Sequence, residues 1–322
     1  MGGVQLVVLS VIGVFVFCCT NVHSLEALIR ISPKCVNLIT FSQFLFVSLY
    51  ELIVTAKFFT VKPAVPIKNY TFLVILYFFV SSLNNYVLTL GIPMPLHMVF
   101  RSGSLAANML MGKLIMGRKY FLRRYISVIM VSFGIFICTY FSSSQKAVVE
   151  KSGPSFATYT LGVGLMIISL FTSSILGILQ ERISNNHGKH PREMLFYTHF
   201  LSLPGFLVFS NFFRNFKGFG YLGTESAGYI NFGGIMIPRF WFWLAVNVLT
   251  QYACVRCIYI LTTECTSLTV TMVTTVRRFL SLLWSIYYFK NPFSIYHWIG
   301  SILIFSGSLI YLDPPRSEKQ MN

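Results

Sequence analysis

Ten apolar stretches recur along the chain, over residues 3–23, 36–58, 69–90, 95–116, 124–141, 158–180, 194–213, 239–261, 265–288 and 293–312. Most come close to the about 20 residues that an α-helix needs to cross a hydrocarbon core. Polar or Gly/Pro-bearing breaks divide them: "KPAVPIK" at 62–68, "GIPMP" at 91–95, "GRKYFLRR" at 117–124, "SSSQKAVVEKSGP" at 142–154 and "ERISNNHGKHPRE" at 181–193, with a longer loop over 214–239. The pattern predicts an all-α integral membrane protein with ten transmembrane helices. The N-terminus lacks a basic n-region and an A-x-A cleavage site, so its apolar run reads as a first helix and not as a removed signal.

Composition supports this class. Of 322 residues, 55% are apolar and 11% charged, against about 25% charged in a soluble domain. The net charge is +16, from 25 basic and 9 acidic residues. Much of that excess sits in short loops and the rest within helices. There is no long basic run, so nucleic acid is not the expected partner; membrane lipid is. An even number of spans puts both termini on one side. With both in the cytosol, that side's loops hold twelve basic residues: Lys57, Lys62, Lys68, Arg118, Lys119, Arg123, Arg124, Arg182, Lys189, Arg192, Arg316 and Lys319. The other side's loops hold eight: Arg30, Lys34, Lys146, Lys151, Arg214, Lys217, Arg239 and Lys290. The positive-inside rule therefore expects cytosolic termini. The sequon Asn69-Tyr70-Thr71 would then face the cytosol and stay bare.

The chain divides into residues 1–141, a connecting loop over 142–157, residues 158–312 and a polar tail over 313–322. Each half places arginine in a late helix, then a turn ("GRKYF", "FKNPFSI"), then a Gly-bearing terminal helix. A five-span unit is odd, so its copy sits inverted in the bilayer. Two inverted five-helix repeats are a transporter pattern, with the site at the midplane.

Arg101 is the residue that does not fit a lipid-facing helix. A guanidinium keeps its proton at any reachable pH. At mid-bilayer it costs about 2.5–3.5 kcal/mol even on the lenient insertion scale. On its helical face lie His97, Ser104 and Asn108. A second basic site is "TMVTTVRRFLSLLWS" at 271–285. There the Arg278 face carries Thr274, Thr275, Ser281 and Ser285, while the Arg277 face is more apolar. The alternative role for such arginines is internal pairing, but carboxylates are scarce: Glu51 near a span end, Glu26 and Glu264 flanking others. Two fixed cations without matching buried acids point to a mobile anion, which Arg grips bidentately when it is a phosphate. Lys113 and Arg256, near helix ends, act as interface anchors or draw anions inward.

Amides and aromatics complete the polar inventory. "SSLNNYVLT" at 81–89 supplies Asn84, Asn85 and Tyr86; the eighth span supplies Asn247, Gln251 and Tyr252. Such groups either join helices or read the hydroxyls and base edges of a sugar nucleotide. Enzyme chemistry is poorly served. The only aspartate is Asp313 in the tail, there is no HExxH or G-x-S-x-G, and the histidines are scattered, so no metal or cofactor is expected. Of the seven cysteines, Cys18, Cys19, Cys138, Cys254, Cys257 and Cys265 lie in apolar runs and Cys35 flanks one; no disulfide framework is expected.

"FRSGSLAANM" (100–109), "NNY" (84–86), "GKHPREMLFYTHFLSLPGF" (188–206) and "LTTECTSLTVTMVTTVRRFLSL" (261–282) resemble nucleotide-sugar transporters of the drug/metabolite transporter superfamily. The likeness runs over nearly the whole chain. It implies ten helices in two inverted repeats, a Golgi or endoplasmic reticulum membrane, and exchange of a cytosolic nucleotide sugar for a lumenal nucleoside monophosphate, here a UDP-sugar for UMP. "FYTHFLSLP" resembles the FYNN-type motif of GDP-mannose transporters, with Tyr197 kept and Thr198 and His199 in place of the asparagines. That departure argues against guanine. "TTVRR" occupies the place of the GALNK-type motif, with Arg278 where the lysine stands. The expected phosphate-binding residues are Arg101, Arg278 and Arg277. The expected base- and sugar-binding residues are Tyr197, Thr198, His199, Asn84, Asn85, Tyr86, Gln251, Tyr252, Ser104 and Thr274. The competing readings are a carrier of another phosphorylated metabolite and a non-transporting membrane scaffold. Oligomeric state is left open.

Overall fold

The computed structural model describes residues 3–32, 35–92, 94–117, 120–149, 156–188, 190–209, 228–232, 235–264, 267–290 and 293–312. The elements are α1 (Gly3–Ile31), α2 (Val36–Val54), α3 (Ile67–Thr89), α4 (Met94–Ser102), α5 (Ser104–Met116), α6 (Leu122–Val149), α7 (Phe156–His187), α8 (Pro191–Phe200), α9 (Leu203–Phe209), β1 (Tyr229–Phe232), β2 (Ile235–Pro238), α10 (Arg239–Glu264), α11 (Ser267–Phe289) and α12 (Ile295–Leu312). Among the described residues, six helices are long and apolar enough to cross a membrane: Gln5–Ile31, Val36–Val54, Ile67–Thr89, Leu122–Phe141, Phe156–Ser184 and Arg239–Leu261. Ile295–Tyr311 is a shorter apolar helix.

The burial pattern is that of a protein solvated by lipid. Ile129, Phe133 and Phe136 on α6 and Val8, Leu9 and Ile12 on α1 are exposed, whereas Asn21, Glu26, Glu51, Asn85, His97, Asn247 and Ser301 are buried. Polar groups turn inward because hydrocarbon cannot hydrogen-bond them.

Every predicted span overlaps a helix, but two are interrupted. The span at 95–116 breaks at Gly103 into α4 and α5, and the span at 194–213 breaks at Leu201–Ser202 into α8 and α9. Apolar character continues through both breaks, so hydropathy alone does not register them. The region read as a loop before the eighth span contains an antiparallel hairpin, with Tyr229 opposite Pro238 and Phe232 opposite Ile235. The turn residues 233–234, and most of the preceding loop, lie outside the described residues.

The chain forms two compact units that each draw on both sequence halves. The first comprises Met1–Thr89 and Leu179–Glu264, the second Leu90–Ile178 and Cys265–Asn322. In the first, α1 packs along α10 and α2 lies against α3, α8, α9 and α10. Leu28, Cys35, Leu38, Ile39, Phe240 and Leu244 form an apolar core there. Asn21 and Asn247 fasten α1 to α10 reciprocally: each side-chain amide donates to the other's backbone carbonyl, at 2.9 and 3.0 Å. A disulfide also joins these helices, Cys18 to Cys254, against the expectation of free cysteines. Their separation of 236 residues hides the pairing from any reading of local spacing. Burial pushes the Cys35 thiol, between the first two spans, up to about 12, so it stays protonated.

In the second unit, α6 and α12 pack closest. A Cβ on Gly134 would stand 2.6 Å from the Gly300 carbonyl, and one on Gly300 would stand 2.5 Å from Cys138 Sγ and 2.8 Å from the Gly134 carbonyl. Small residues let membrane helices approach backbone to backbone. Because a main-chain carbonyl under 3 Å is among the obstacles at each, neither Gly134→Ala nor Gly300→Ala can be absorbed by a rotamer change alone. Each is expected to destabilise the protein by about 1–3 kcal/mol. Gly164→Ala and Gly177→Ala, where nothing lies within 4 Å, should leave the detergent-solubilised melting temperature unchanged or slightly raised.

Candidate functional site

The arginine site belongs to the second unit. Gly103 sits where a Cβ would be 2.5 Å from Ile135 Cδ1 and 3.1 Å from the Phe100 carbonyl, so a side chain there would force Ile135 of α6 to move. Its N–H reaches the Phe100 carbonyl at 2.9 Å, an i to i−3 closure that ends α4. α5 restarts at Ser104, with the Ala106 and Ala107 amides on the Gly103 carbonyl at 3.0 and 3.3 Å. Arg278 of α11 bridges the interruption. Its Nη1 donates to the Arg101 carbonyl at 3.1 Å and to Ser104 Oγ at 3.3 Å. A cation at a helix C-terminus meets the negative end of the helix dipole and the carbonyls left over there.

Arg278 is therefore brought to the Arg101 carbonyl and to Ser104, residues of the two sequence halves. The Arg101 side chain is exposed; Arg278, Arg277 and Thr274 are half-buried. Along α11, Thr275, Ser281 and Ser285 are buried while Val276, Leu280 and Trp284 are exposed. The polar stripe thus turns into the unit. No carboxylate occurs among this unit's described residues: its acids, Glu150, Asp313 and Glu318, all lie outside them.

The remaining predicted residues fall in the first unit. Pro191 opens α8 at its first turn, followed by Glu193. Tyr197 stacks on the buried Tyr70 at 5.1 Å between centroids and 21° between planes. The Thr198 hydroxyl bonds back to the Met194 carbonyl at 2.7 Å. His199 Nδ1 lies 2.8 Å from the Leu195 carbonyl and so must donate there. Its Nε2 then accepts from Tyr77 Oη at 3.2 Å, with Phe44 packed on the ring at 4.7 Å. Thr198 and His199 are buried, with these bonds made inside the unit.

Asn85 joins α2 to α3: its Oδ1 accepts from Thr40 at 3.0 Å, and its Nδ2 donates to Asn37 Oδ1 at 3.1 Å. Tyr252 donates to Glu51 Oε1 at 3.2 Å and accepts from Arg256 Nη1 at 2.9 Å. Glu51 also accepts from the Thr55 hydroxyl. Asn84 is half-buried. The Gln251 amide and the Tyr86 hydroxyl make no hydrogen bond among the described residues. Tyr86 lines a cavity of about 770 Å³ with Asn37, Ser82, Thr89 and Ser202 among apolar side chains.

Sequence reasoning passed over Glu193. Its Oε2 accepts the Ala64 N–H at 2.9 Å; its Oε1 accepts the Val65 N–H and the Tyr70 hydroxyl, both at 3.0 Å. One carboxylate thus ties the α2–α3 connection to α8 and fixes the ring on which Tyr197 rests. The available signal was its place in a first helical turn, directly after "HPR". Beside it, Lys57, Phe58 and Phe59 hold left-handed φ of 44°, 55° and 64°. Phe59 lies against Phe196 and Phe200 of α8 at 5.9 and 5.6 Å.

Comparison with known proteins follows this geometry. The model of the UAA transporter family matches residues 6–314. The endoplasmic reticulum GDP-fucose transporter of Drosophila melanogaster is 46% identical over 94% of this chain and 89% of its own length. The UDP-xylose and UDP-N-acetylglucosamine transporter of Danio rerio is 46% identical over 93% of this chain and 92% of its own. The UDP-N-acetylglucosamine transporter of Saccharomyces cerevisiae is 37% identical over 92% of both. A solved crystal structure at 12% identity aligns with a TM-score of 0.58 over 94% of this chain and 95% of that one, a likeness of fold alone.

Removing the Glu193 carboxylate strands three donors. Glu193→Ala is expected to destabilise the first unit by about 1–3 kcal/mol, with Glu193→Gln milder because one acceptor oxygen remains. Melting followed by intrinsic fluorescence in detergent checks the order wild type, Gln, Ala.

Proposed function

Since this chain belongs to the UAA transporter family, and is a transporter and not an enzyme, we propose that it exchanges a UDP-sugar for UMP across a Golgi or endoplasmic reticulum membrane by alternating access. UDP-N-acetylglucosamine and UDP-xylose are the sugars proposed, entering from the cytosolic side. Ten spans in two inverted repeats, with both termini in the cytosol, are the topology proposed with it.

The observation that carries this reading is the Arg101–Arg278 pair around the break at Gly103, in a unit whose described residues hold no carboxylate. A UDP-sugar brings about two negative charges, and UMP about one and a half to two near neutral pH, by analogy with phosphate monoesters. Either balances the pair. Arg278 is already positioned by two hydrogen bonds, which leaves its remaining donors for phosphate oxygens; Arg101 is exposed, with Ser104 three residues on as a neutral donor, Thr274 lies one helical turn before Arg278, and Arg277 shares the charge. In the absence of an anion, each cation costs about 2.5–3.5 kcal/mol or more in the bilayer. That cost opposes return of the empty carrier and favours strict exchange. Tyr86 and Gln251, whose polar groups are uncommitted, are the first unit's candidates for sugar recognition. Tyr197, Thr198, His199, Asn84, Asn85 and Tyr252 support that unit's shape.

A GDP-sugar is the second reading, favoured by the Drosophila relative, a GDP-fucose transporter. Thr198 and His199, where GDP-mannose transporters carry asparagines, support uracil instead.

Purified protein in liposomes tests these readings together. UMP-loaded vesicles should take up labelled UDP-N-acetylglucosamine; empty vesicles should not, and equal uptake in both would refute coupling. External UMP should compete better than GMP, phosphoenolpyruvate or inorganic phosphate. Arg101→Gln and Arg278→Gln should each reduce exchange by about 10- to 100-fold, the worth of one or two charge-assisted hydrogen bonds. Arg278→Lys should retain part of it.

A further inference from the structure

A second basic feature lies apart from the arginine pair. Where α3 begins and α7 ends, within the first unit, a cleft of about 290 Å³ opens between the two helices. Its lining changes character with depth. Lys68 and Asn69 stand in the first turn of α3, and Phe72 lies one turn further in. On α7, which runs outward here, Leu179 is deepest, Arg182 follows, and His187 is the last helical residue. Asn69 Nδ2 and His187 Nε2 meet at 2.8 Å and join the two walls at the outer end. Lys68 is exposed at that rim; Arg182, five residues before His187, is exposed with a side chain long enough to extend toward it, and Phe72 is 55% exposed beside it. Glu193, an acid at this end, is already committed to Ala64, Val65 and Tyr70.

We propose that this cleft binds an anionic phospholipid, with the headgroup phosphate between Lys68 and Arg182 and the upper acyl carbons along Phe72 and Leu179. A free phosphate would use the cationic rim but gain nothing from the apolar depth. A neutral lipid would use the depth and leave two cations unmatched. Only a molecule charged at one end and apolar along the membrane normal satisfies both parts. Basic pockets between transmembrane helices take such headgroups, each Lys or Arg contributing about 1 kcal/mol. This end of the unit is also the one that the positive-inside count assigns to the cytosol, the leaflet richer in anionic lipid.

The test is native mass spectrometry of the purified full chain titrated with phosphatidylserine or phosphatidylcholine. Wild type should retain phosphatidylserine preferentially. The double variant K68Q/R182Q should weaken that retention by about 10- to 30-fold, as two rim charges imply. K57Q/K62Q, which removes equal charge outside the cleft, should bind within about threefold of wild type. Equal weakening by both pairs, or none with K68Q/R182Q, would overturn the proposal, and so would displacement of the lipid by excess inorganic phosphate. Should K68Q/R182Q fail to fold, Phe72→Trp reads the same cleft with its charges intact. Brominated phosphatidylserine should quench the added fluorescence more than brominated phosphatidylcholine in phosphatidylcholine vesicles; equal quenching sinks the idea.

Discussion

A guanidinium that cannot lose its proton, placed where the solvent cannot hydrate it, must be met by oxygen. The second unit meets this demand with main chain. By ending α4 one turn early, Gly103 releases the Arg101 carbonyl from its helical duty and offers it to Arg278. The broken helix and the intramembrane cation answer each other: an unbroken helix would have spent that carbonyl on its own ladder, and a break without Arg278 would have left it bare. The oxygens supplied are a carbonyl and a hydroxyl, so they solvate the charge without cancelling it. Its positive sign stays available to a ligand.

The first unit follows the opposite rule. Three of its carboxylates are engaged: Glu26 with Arg30 at 3.5 Å, Glu51 with Tyr252 and Thr55, Glu193 with two amides and a phenol. Its amides bond one another across helices, Asn21 with Asn247 and Asn85 with Asn37. In a medium where an unpaired polar group costs several kcal/mol, such closure fixes one arrangement of helices. Among the described residues the two units are therefore chemically unlike: the first engages carboxylates with its own donors, and the second holds arginines and no carboxylate.

Much of this was legible before any coordinates. The apolar runs marked the helices because lipid rewards continuous apolarity, and the excess of arginine over acid singled out Arg101 and Arg278. What escaped notice depended on contacts distant in sequence or on polarity-neutral changes of backbone. Gly103 interrupts a run that stays apolar on both sides, and the atom that crowds it, Ile135 Cδ1, comes from another helix. Cys18 finds Cys254 only once α1 lies along α10. Thr198 and His199 sit where a ligand-reading motif is expected, yet they satisfy their hydrogen bonds within α8 and against Tyr77, which neither spacing nor residue type reveals. The hairpin over Tyr229–Pro238 did carry a local cue, two glycines between short β-prone runs, that the surrounding loop character masked.

The meeting of Gly134 with Gly300 has a mechanical corollary. Where two helices touch through peptide groups, with Cys138 and Ile304 beside them, there is little cushion of rotatable side chains to shear or compress. α6 and α12 are thereby geared into a single stiff strut, and any rearrangement within the second unit must pivot around that strut instead of sliding along it.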